Sequence, residues 1–297
     1  MATLGRLLTA MVTPFDEKGQ VDYEQAKRLA LALLDSGSDG VVVVGTTGES
    51  PTLVRDEEVR LFAEVKSAVG DRGAVVAGTG SNSTAEALAT TKAAEQVGVD
   101  ACLLVVPYYN KPTQDGLYEH FRAIAESTSL PCILYNVPAR TVVSLAADTA
   151  IRLSRIGNII GVKEASGNLD QISRIVSETG DDFLVYSGND NETLPILSLG
   201  GYGVVSVASH LVGLQMREMI VHAVEGRPDS AARIHGDLLP LFNTLFLVAN
   251  PIPIKYALNR VGFRVGNPRL PLTPPDERTA AAIDAVLKSY NIDLPIN

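Results

Sequence analysis

Short runs of apolar, mostly β-branched residues recur along the chain, and polar segments with helical periodicity separate most of them. Eight such runs stand out: LLTAMVTPF, GVVVVGTTG, AVVAGTG, ACLLVVPYY, PCILYNVP, IIGVKEAS, FLVYSGND and GVVSVAS. They are continuous rather than alternating, which is typical of parallel strands covered on both faces. The segments between them, such as YEQAKRLALALLDSG, end near glycines, which favour helix termination. The pattern predicts a (β/α)8 barrel of the α/β class.

The pattern changes after the eighth run. From about Gly226 onward the sequence has helical periodicity interrupted by prolines, as in DSAARIHGDLLPLFNTLFLVAN and PDERTAAAIDAVLKSY. We therefore expect residues 1–225 to form the barrel. Residues 226–297 are expected to form a C-terminal helical region packed on it.

Composition restricts the possible partners and location. A length of 297 residues suits a single barrel, and the net charge of −9 comes without a basic stripe, which argues against nucleic acid as a partner. No run reaches the roughly 18 apolar residues of a membrane span. The first residues lack the pattern of a signal peptide, and both cysteines lie in apolar runs, as expected of buried reduced thiols. We expect a cytoplasmic protein without membrane contact.

Catalytic residues of a barrel enzyme lie where the strands end, and the apolar part of the sixth run is followed by a lysine. Lys163 follows the apolar residues 159–162 and precedes Glu164. It could form a structural ion pair with that glutamate. It could also be a nucleophilic amine that forms a Schiff base, because an apolar site favours loss of the proton.

Hydroxyl groups and one arginine follow the neighbouring runs. Tyr135 ends the fifth run, so adjacent strands would bring its phenol next to Lys163, where it could move protons or simply be a core tyrosine. The segment GTTGES contains Thr46 and Thr47, whose hydroxyl and backbone N–H groups suit a carboxylate, although a plain tight turn has the same sequence. Arg140 could clamp a carboxylate or could be an exposed loop residue.

Other kinds of site find less support. The strand ends contain no cluster of histidine, cysteine and carboxylate residues, so we expect no metal site and no Ser-His-Asp triad. The segment GTGSNS differs by one residue from a dinucleotide-binding fingerprint, but no residue stands out as the usual acidic one about 20 positions downstream, where the chain reads as a helix and its exit. The residues Ser83 to Glu86 instead predict a capping box at the start of a helix.

Taken together, GTTGES, VPYYNKP, LYNVPARTVVSL, GVKEASGNL and GVVSVAS resemble the dihydrodipicolinate synthase and N-acetylneuraminate lyase superfamily. The similarity runs essentially end to end. The threonine pair, the tyrosine pair Tyr108–Tyr109 and Arg140 resemble the synthase branch more than the sialic acid lyases. That branch condenses pyruvate with L-aspartate-β-semialdehyde in the diaminopimelate route to lysine, and its chemistry needs no cofactor.

The resemblance also implies roles for individual residues. It assigns the Schiff base to Lys163 and proton transfer to a relay of Tyr135, Thr46 and Tyr109, with Tyr109 coming from a neighbouring subunit of a homotetramer built as a dimer of dimers. It assigns substrate binding to four positions: Thr47, Arg140, Val205 and Gly188. A regulatory lysine site in the family matches five further positions, which are Ser50, Pro51, Asn82, Glu86 and Tyr108.

Arg55 and Glu58 stand where lysine-sensitive members often have histidine, so the resemblance implies weak or absent feedback by lysine. Two alternatives to the synthase activity stay open. One is another pyruvate aldolase of the same superfamily that acts on a sugar acid or a different aldehyde. The other is a barrel that is not catalytic or binds a cofactor.

Overall fold

The computed structural model describes residues 4–296, and eight parallel strands in it close into a barrel. The strands are β1 Leu7–Ala10, β2 Gly40–Val43, β3 Ala74–Gly78, β4 Ala101–Val105, β5 Cys132–Asn136, β6 Ile159–Glu164, β7 Leu184–Ser187 and β8 Gly203–Ser206. Each strand pairs with its neighbour in sequence, and β8 pairs with β1 to close the sheet. The predicted barrel is confirmed, with each strand inside one of the eight apolar runs.

Helices surround the strands and continue past the last one. They are α1 Tyr23–Asp35, α2 Arg55–Val69, α3 Thr84–Val97, α4 Gln114–Glu126, α5 Pro138–Thr141, α6 Ala147–Leu153, α7 Leu169–Glu178, α8 Thr193–Ser198, α9 Ser209–Val224, α10 Pro228–Thr244, α11 Ile252–Arg260 and α12 Glu277–Leu287. Helices α10 and α11 pack on α9, and α12 packs on α10 and α11. The predicted C-terminal helices are therefore present, and the boundary between residues 225 and 226 stays a prediction.

Two apolar clusters follow from the alternation of side chains along each strand. One fills the barrel and includes Ile133, Tyr135 and Val205. The other lies between sheet and helices and includes Leu134 and Val162. Because successive residues of a strand point to opposite faces, Tyr135 and Lys163 point into the barrel while their neighbours support the helices.

The two cysteines belong to the outer cluster. Cys102 and Cys132 are register partners on β4 and β5, and both are free and buried. Burial raises the pKa of the Cys102 thiol to about 12. These residues are structural, as the sequence predicts.

One helix start differs in detail from the sequence prediction. Ser83 caps α3 by accepting a hydrogen bond from the backbone N–H of Glu86 at 3.4 Å. The carboxylate of Glu86 does not turn back to complete the capping box, because it accepts a hydrogen bond from the Ser81 hydroxyl at 2.8 Å.

Candidate active site

Lys163 lies inside the barrel near the end of β6. Its strand partner in register is Tyr135 on β5, and its Nζ lies 4.2 Å from the centroid of the Tyr135 ring. Both residues are 6% exposed. A buried primary amine over the ring of a tyrosine is an arrangement that suits a nucleophilic lysine.

Glu164 does not pair with Lys163, because it points to the opposite face of the strand. Its Oε1 accepts hydrogen bonds from Asn136 at 2.7 Å and Gln171 at 3.2 Å, and its Oε2 accepts one from Ser166 at 2.5 Å. Burial raises the pKa of this carboxyl, against the effect of the hydrogen bonds. The alternative of a structural Lys163–Glu164 ion pair is therefore wrong.

Asp190 is a charged group near Lys163 that sequence reasoning missed. It is 2% exposed, and its Oδ2 accepts hydrogen bonds from the backbone N–H groups of Val207 at 3.1 Å and Ala208 at 2.9 Å. Burial raises the pKa of this carboxyl, while its hydrogen bonds and the positive charge of Lys163 act in the opposite direction.

Gly188 and Val205 surround the lysine from the following strands. A Cβ on Gly188 would lie 2.7 Å from the Cβ of Ala165 and 3.2 Å from the Cε of Lys163, so only glycine leaves room here. Val205 is buried on β8 and belongs to the cluster inside the barrel. Gly188 therefore lies against Lys163, and Val205 lies inside the barrel with Tyr135.

The threonine loop after β2, residues 44–49, is held in an unusual conformation. Val44 and Glu49 both have a φ of +59°, a region that a β-branched residue rarely adopts. The next strand approaches the loop closely, since a Cβ on Gly78 would lie 2.2 Å from the carbonyl oxygen of Val44. A strained backbone of this kind persists only where surrounding contacts fix it.

Thr47 is oriented by a residue far away in the sequence. Its hydroxyl accepts a hydrogen bond from the Asn250 side-chain amide at 2.8 Å. Because a hydroxyl that accepts one bond can still donate its own proton, Thr47 remains available as a donor to a carboxylate. Thr46 is half-buried and lines the cavity described next.

A cavity of about 240 Å³ opens at this end of the barrel. Its lining includes Thr46, Tyr135, Tyr108 and Arg140. The guanidinium of Arg140 donates a hydrogen bond to the backbone oxygen of Asn250 at 3.1 Å. The cavity therefore combines hydroxyl groups, a cation and the ring that covers the Lys163 amine, a composition suited to a small acidic substrate.

Tyr109 does not reach this cavity within one chain. It is 87% exposed and has a φ of +74°, so it projects from the surface next to Tyr108. The structure thus brings Lys163, Tyr135, Thr46 and Arg140 to one end of the barrel and leaves Tyr109 outside.

A second cavity of about 370 Å³ shares part of its wall with the first. Of the residues predicted for a regulatory site it is lined by Ser50, Pro51, Glu86 and Tyr108, and also by Arg55 and Glu58. Asn82 is not part of the lining, and its carbonyl oxygen accepts a hydrogen bond from Asn110 at 2.8 Å. Burial raises the pKa of Glu58 to about 7, although the Ser50 hydroxyl donates to this carboxyl at 3.1 Å.

Two buried histidines, His120 and His210, have partners within the protein. His210 is fully buried, with Nε2 accepting from the Val12 amide at 3.2 Å and Nδ1 2.9 Å from the Val207 oxygen, and burial lowers its pKa to about 4. His120 lies in α4, where its Nδ1 is 2.8 Å from the Thr84 hydroxyl.

Among residues 4–296 no group of three or more histidine, cysteine or acidic side chains could hold a metal ion. Within the same range no helix is long and apolar enough to cross a membrane.

Sequence reasoning also missed the partners of the threonine loop. Glu49 and Lys255 form an ion pair at 2.8 Å with both side chains 1% exposed, and Asn250 contacts both Thr47 and Arg140. The available signal was the segment NPIPIK, in which an asparagine and a lysine flank apolar residues and prolines. No predicted strand end is close to this segment in the sequence, so its relation to the site depends on tertiary structure alone.

Comparisons with known proteins agree with this geometry. A family model described as the dihydrodipicolinate synthetase family matches residues 3–290. A 4-hydroxy-tetrahydrodipicolinate synthase of Dehalococcoides mccartyi (strain ATCC BAA-2266) is 66% identical over 296 residues, which cover 100% of both chains. A crystal structure of a dihydrodipicolinate synthase from Bacillus anthracis superposes with a TM-score of 0.96 at 47% identity, covering 98% of this chain and 100% of that one.

A crystal structure of the synthase from Cyanidioschyzon merolae with lysine bound gives a TM-score of 0.95 at 50% identity, covering 96% of this chain and 98% of that one. These matches extend over the barrel and the C-terminal helices together. The chain belongs to the dihydrodipicolinate synthetase family.

Proposed function

We propose that this protein condenses pyruvate with L-aspartate-β-semialdehyde to give 4-hydroxy-tetrahydrodipicolinate in the diaminopimelate route to lysine. The observation that carries the proposal is the buried Lys163 amine, 4.2 Å from the ring centroid of its strand partner Tyr135, at the same barrel end as the cavity with Thr46 and Arg140. The names of the relatives favour this reaction over that of a sugar-acid aldolase.

The first half of the proposed reaction forms an imine. The Nζ of Lys163 attacks the keto carbon of pyruvate, and the carbonyl oxygen leaves as water. Thr46 and Thr47 hold the pyruvate carboxylate, while Val205 and Gly188 limit the space around the imine. Tyr135 then moves a proton from the pyruvate methyl group, which converts the imine into a nucleophilic enamine.

The second half joins the two substrates. The enamine carbon attacks the aldehyde carbon of the semialdehyde, and the new alkoxide takes a proton through the hydroxyl relay. Arg140 binds the carboxylate of this second substrate, which a guanidinium can do through two parallel hydrogen bonds. The substrate amine then attacks the imine carbon and displaces Lys163, so the ring closes and the enzyme amine is regenerated. The imine itself accepts the electrons, so the proposed chemistry needs no cofactor.

The active unit is proposed to be a dimer within a homotetramer built as a dimer of dimers. Support comes from Tyr109, which is 87% exposed at the edge of the site and would complete the relay with Tyr135 and Thr46 from a neighbouring subunit. We also propose a cytoplasmic location, which agrees with the two buried free thiols.

A regulatory site for lysine is proposed in the second cavity, at Ser50, Pro51, Glu86 and Tyr108, with Asn82 at its edge. Arg55 repels a cationic ligand there, and a Glu58 carboxyl with a pKa of about 7 is only partly ionised at neutral pH. We therefore expect weak feedback. An enzyme assay with added lysine checks this, and strong inhibition below millimolar lysine would contradict it.

The proposed function is tested with pyruvate, borohydride and a coupled assay. Borohydride should add pyruvate to the wild-type protein irreversibly, as mass spectrometry of the intact protein detects. Lys163→Ala should abolish the adduct, whereas Lys66→Ala, which removes a lysine at the far end of the barrel, should not. Turnover of aspartate semialdehyde, coupled to the next reductase of the pathway, then identifies the second substrate. Trapping without turnover would instead favour another aldehyde.

A further inference from the structure

A buried ion pair connects the threonine loop to the C-terminal helical region. The Nζ of Lys255 lies 2.8 Å from the Oε1 of Glu49, and both side chains are 1% exposed. The same ammonium donates to the backbone oxygens of Thr13 at 2.9 Å and Asn267 at 3.2 Å. All three protons of Lys255 therefore have acceptors, so its position is fixed in three directions.

Further contacts hold the same loop from the same segment. The Oε2 of Glu49 accepts from the backbone N–H of Arg269 at 2.8 Å, and the side-chain amide of Asn250 donates to Thr47 at 2.8 Å. The guanidinium of Arg269 donates to the oxygen of Thr52 at 2.9 Å and to both oxygens of Glu57. Residues 250–269 thus contact the loop at Thr47 and at its last residue, Glu49, and also contact the chain just after it.

The backbone of the loop needs such support. Glu49 has a φ of +59°, as does Val44 at the other end, and neither residue type favours this conformation. Glu49 lies two residues after Thr47 in the same loop. A change in the position of Glu49 would therefore also change the position of the threonine backbone. Strained conformations are kept by contacts that over-determine them, and here those contacts end on Lys255 and Arg269.

Stability alone does not explain a buried charge pair. Two charges lose their hydration on burial, and apolar residues of similar volume often stabilise a core as well or better. The three hydrogen bonds of Lys255 all go to groups of the protein, so its ammonium has no proton left for a substrate. The pair instead fixes the position of the loop. Lys255 donates three hydrogen bonds, and the Glu49 carboxylate accepts one of these and another from Arg269.

We propose that Lys255, acting through Glu49, is a positioning residue that places Thr46 and Thr47 for the carboxylate of the first substrate. This inference rests on the proposed function, in which those threonines bind the pyruvate carboxylate. It makes the C-terminal helical region part of the substrate-binding apparatus, although none of its side chains takes part in the chemistry.

The test compares pyruvate with methyl pyruvate, which has the same keto carbon but no carboxylate. Rates of borohydride trapping at Lys163 are measured for both ketones at concentrations below saturation, and their ratio gives the carboxylate preference. In Lys255→Met the ratio should fall at least tenfold, almost entirely through slower trapping of pyruvate. The melting temperature should also fall, by roughly 10 °C, because Glu49 is left buried and unpaired.

A double variant separates positioning from stability. Lys255→Met with Glu49→Gln removes both charges, so the melting temperature should return toward that of the wild type. The carboxylate preference should stay low, because the directional link is still missing. If Lys255→Met alone fails to fold, the double variant still tests the positioning role.

A matched control removes a different ion pair. Lys66 contacts Asp100 at 2.8 Å, and Asp100 precedes β4, at the opposite end of the barrel from the site. Lys66→Met should leave the carboxylate preference unchanged. A double variant that keeps the wild-type preference would overturn the positioning role. A wild type that traps both ketones equally would overturn the carboxylate role of the threonines as well, and one that traps neither would contradict the Schiff base at Lys163.

Discussion

Lys163 has space for its side chain because residue 188 is a glycine. The Cβ of any other residue would meet the Cβ of Ala165 at 2.7 Å, the oxygen of Glu164 at 3.0 Å and the Cε of Lys163 at 3.2 Å. The backbone atoms cannot retreat, since the N–H of Gly188 donates to the oxygen of Glu164 at 2.6 Å. The flexible part of this environment is the lysine chain itself, so it would be displaced.

Gly188→Ala should therefore lower kcat by about tenfold or more while costing only about 1–3 kcal/mol of folding free energy. Steady-state kinetics and denaturant unfolding measure the two effects. Gly157→Ala is the control, because a Cβ there meets nothing within 4 Å, and it should change neither quantity. Full activity in Gly188→Ala would mean that the lysine does not need this space.

Glu58 gives a pH dependence of stability that can be isolated. Its pKa is raised from 4.5 to about 7 by burial, so between these values the folded state keeps a proton that the unfolded state has lost. The contribution of this group to the free energy of unfolding therefore falls as the pH rises from about 4.5 to about 7.

In Glu58→Gln this contribution disappears. The difference in melting temperature between variant and wild type should increase in favour of the variant from pH 5 to pH 7.5. Thermal unfolding of both proteins across that range checks it, with Glu126→Gln, an exposed carboxyl in α4, as the control. A constant difference between variant and wild type would place the Glu58 pKa near its ordinary value.

At the scale of elements, the barrel and the position of Lys163 followed from the apolar runs. Parallel strands end at one edge, so a lysine and a tyrosine that end neighbouring runs had to meet, as Lys163 and Tyr135 do. The contacts of Asn250 and Lys255 could not be predicted in this way. They join a loop to a distant helix start through single side chains, and no periodic pattern marks such a contact.

The short helix α5 presents Arg140 to the cavity. Its guanidinium donates to the oxygen of Asn250 at 3.1 Å, which leaves other N–H groups for a substrate carboxylate. Arg140→Ala should raise the KM for the aldehyde substrate by about 10- to 100-fold, since a charged hydrogen bond contributes about 1.5–3 kcal/mol.

Trapping of pyruvate by borohydride should be unchanged in this variant, because the imine forms before the aldehyde binds. Arg152→Ala serves as the control, since it removes an exposed ion pair with Asp115 and a contact with the Tyr118 ring, and none of these residues lines the cavity. If Arg140→Ala instead weakened pyruvate trapping and left the aldehyde KM unchanged, the arginine would belong to the first substrate.

At the scale of the whole molecule, one residue of the proposed relay lies on the outside of the chain. Tyr109 is 87% exposed, and in the proposed dimer its hydroxyl acts in a second subunit, a position that sequence periodicity does not reveal. The proposed exchange of Tyr109 between subunits makes a prediction that a site within one chain does not share.

Lys163→Ala and Tyr109→Phe subunits, when unfolded together and refolded, should regain activity. A mixed dimer has one site that combines an intact lysine with an intact tyrosine, so random pairing gives about a quarter of the wild-type activity. Steady-state rates of the mixture and of each variant alone measure this. Lys163→Ala mixed with Lys163→Ala/Tyr109→Phe should stay inactive. A mixture no more active than the mean of its parents would place the relay within one subunit.

If residues 250–269 position the threonine loop as proposed, its contacts also determine at which stage of synthesis the chain can first bind its substrate. Thr47 and Asn250 are 203 residues apart in sequence, Glu49 and Lys255 are 206 apart, and Glu49 and Arg269 are 220 apart. Like the pairing of β1 with β8, contacts of such separation can form only after most of the chain has been made. During synthesis all eight strands leave the ribosome before residues 250–269 do. A nascent chain can therefore close its barrel, with Lys163 already inside, and still lack an ordered place for its first substrate.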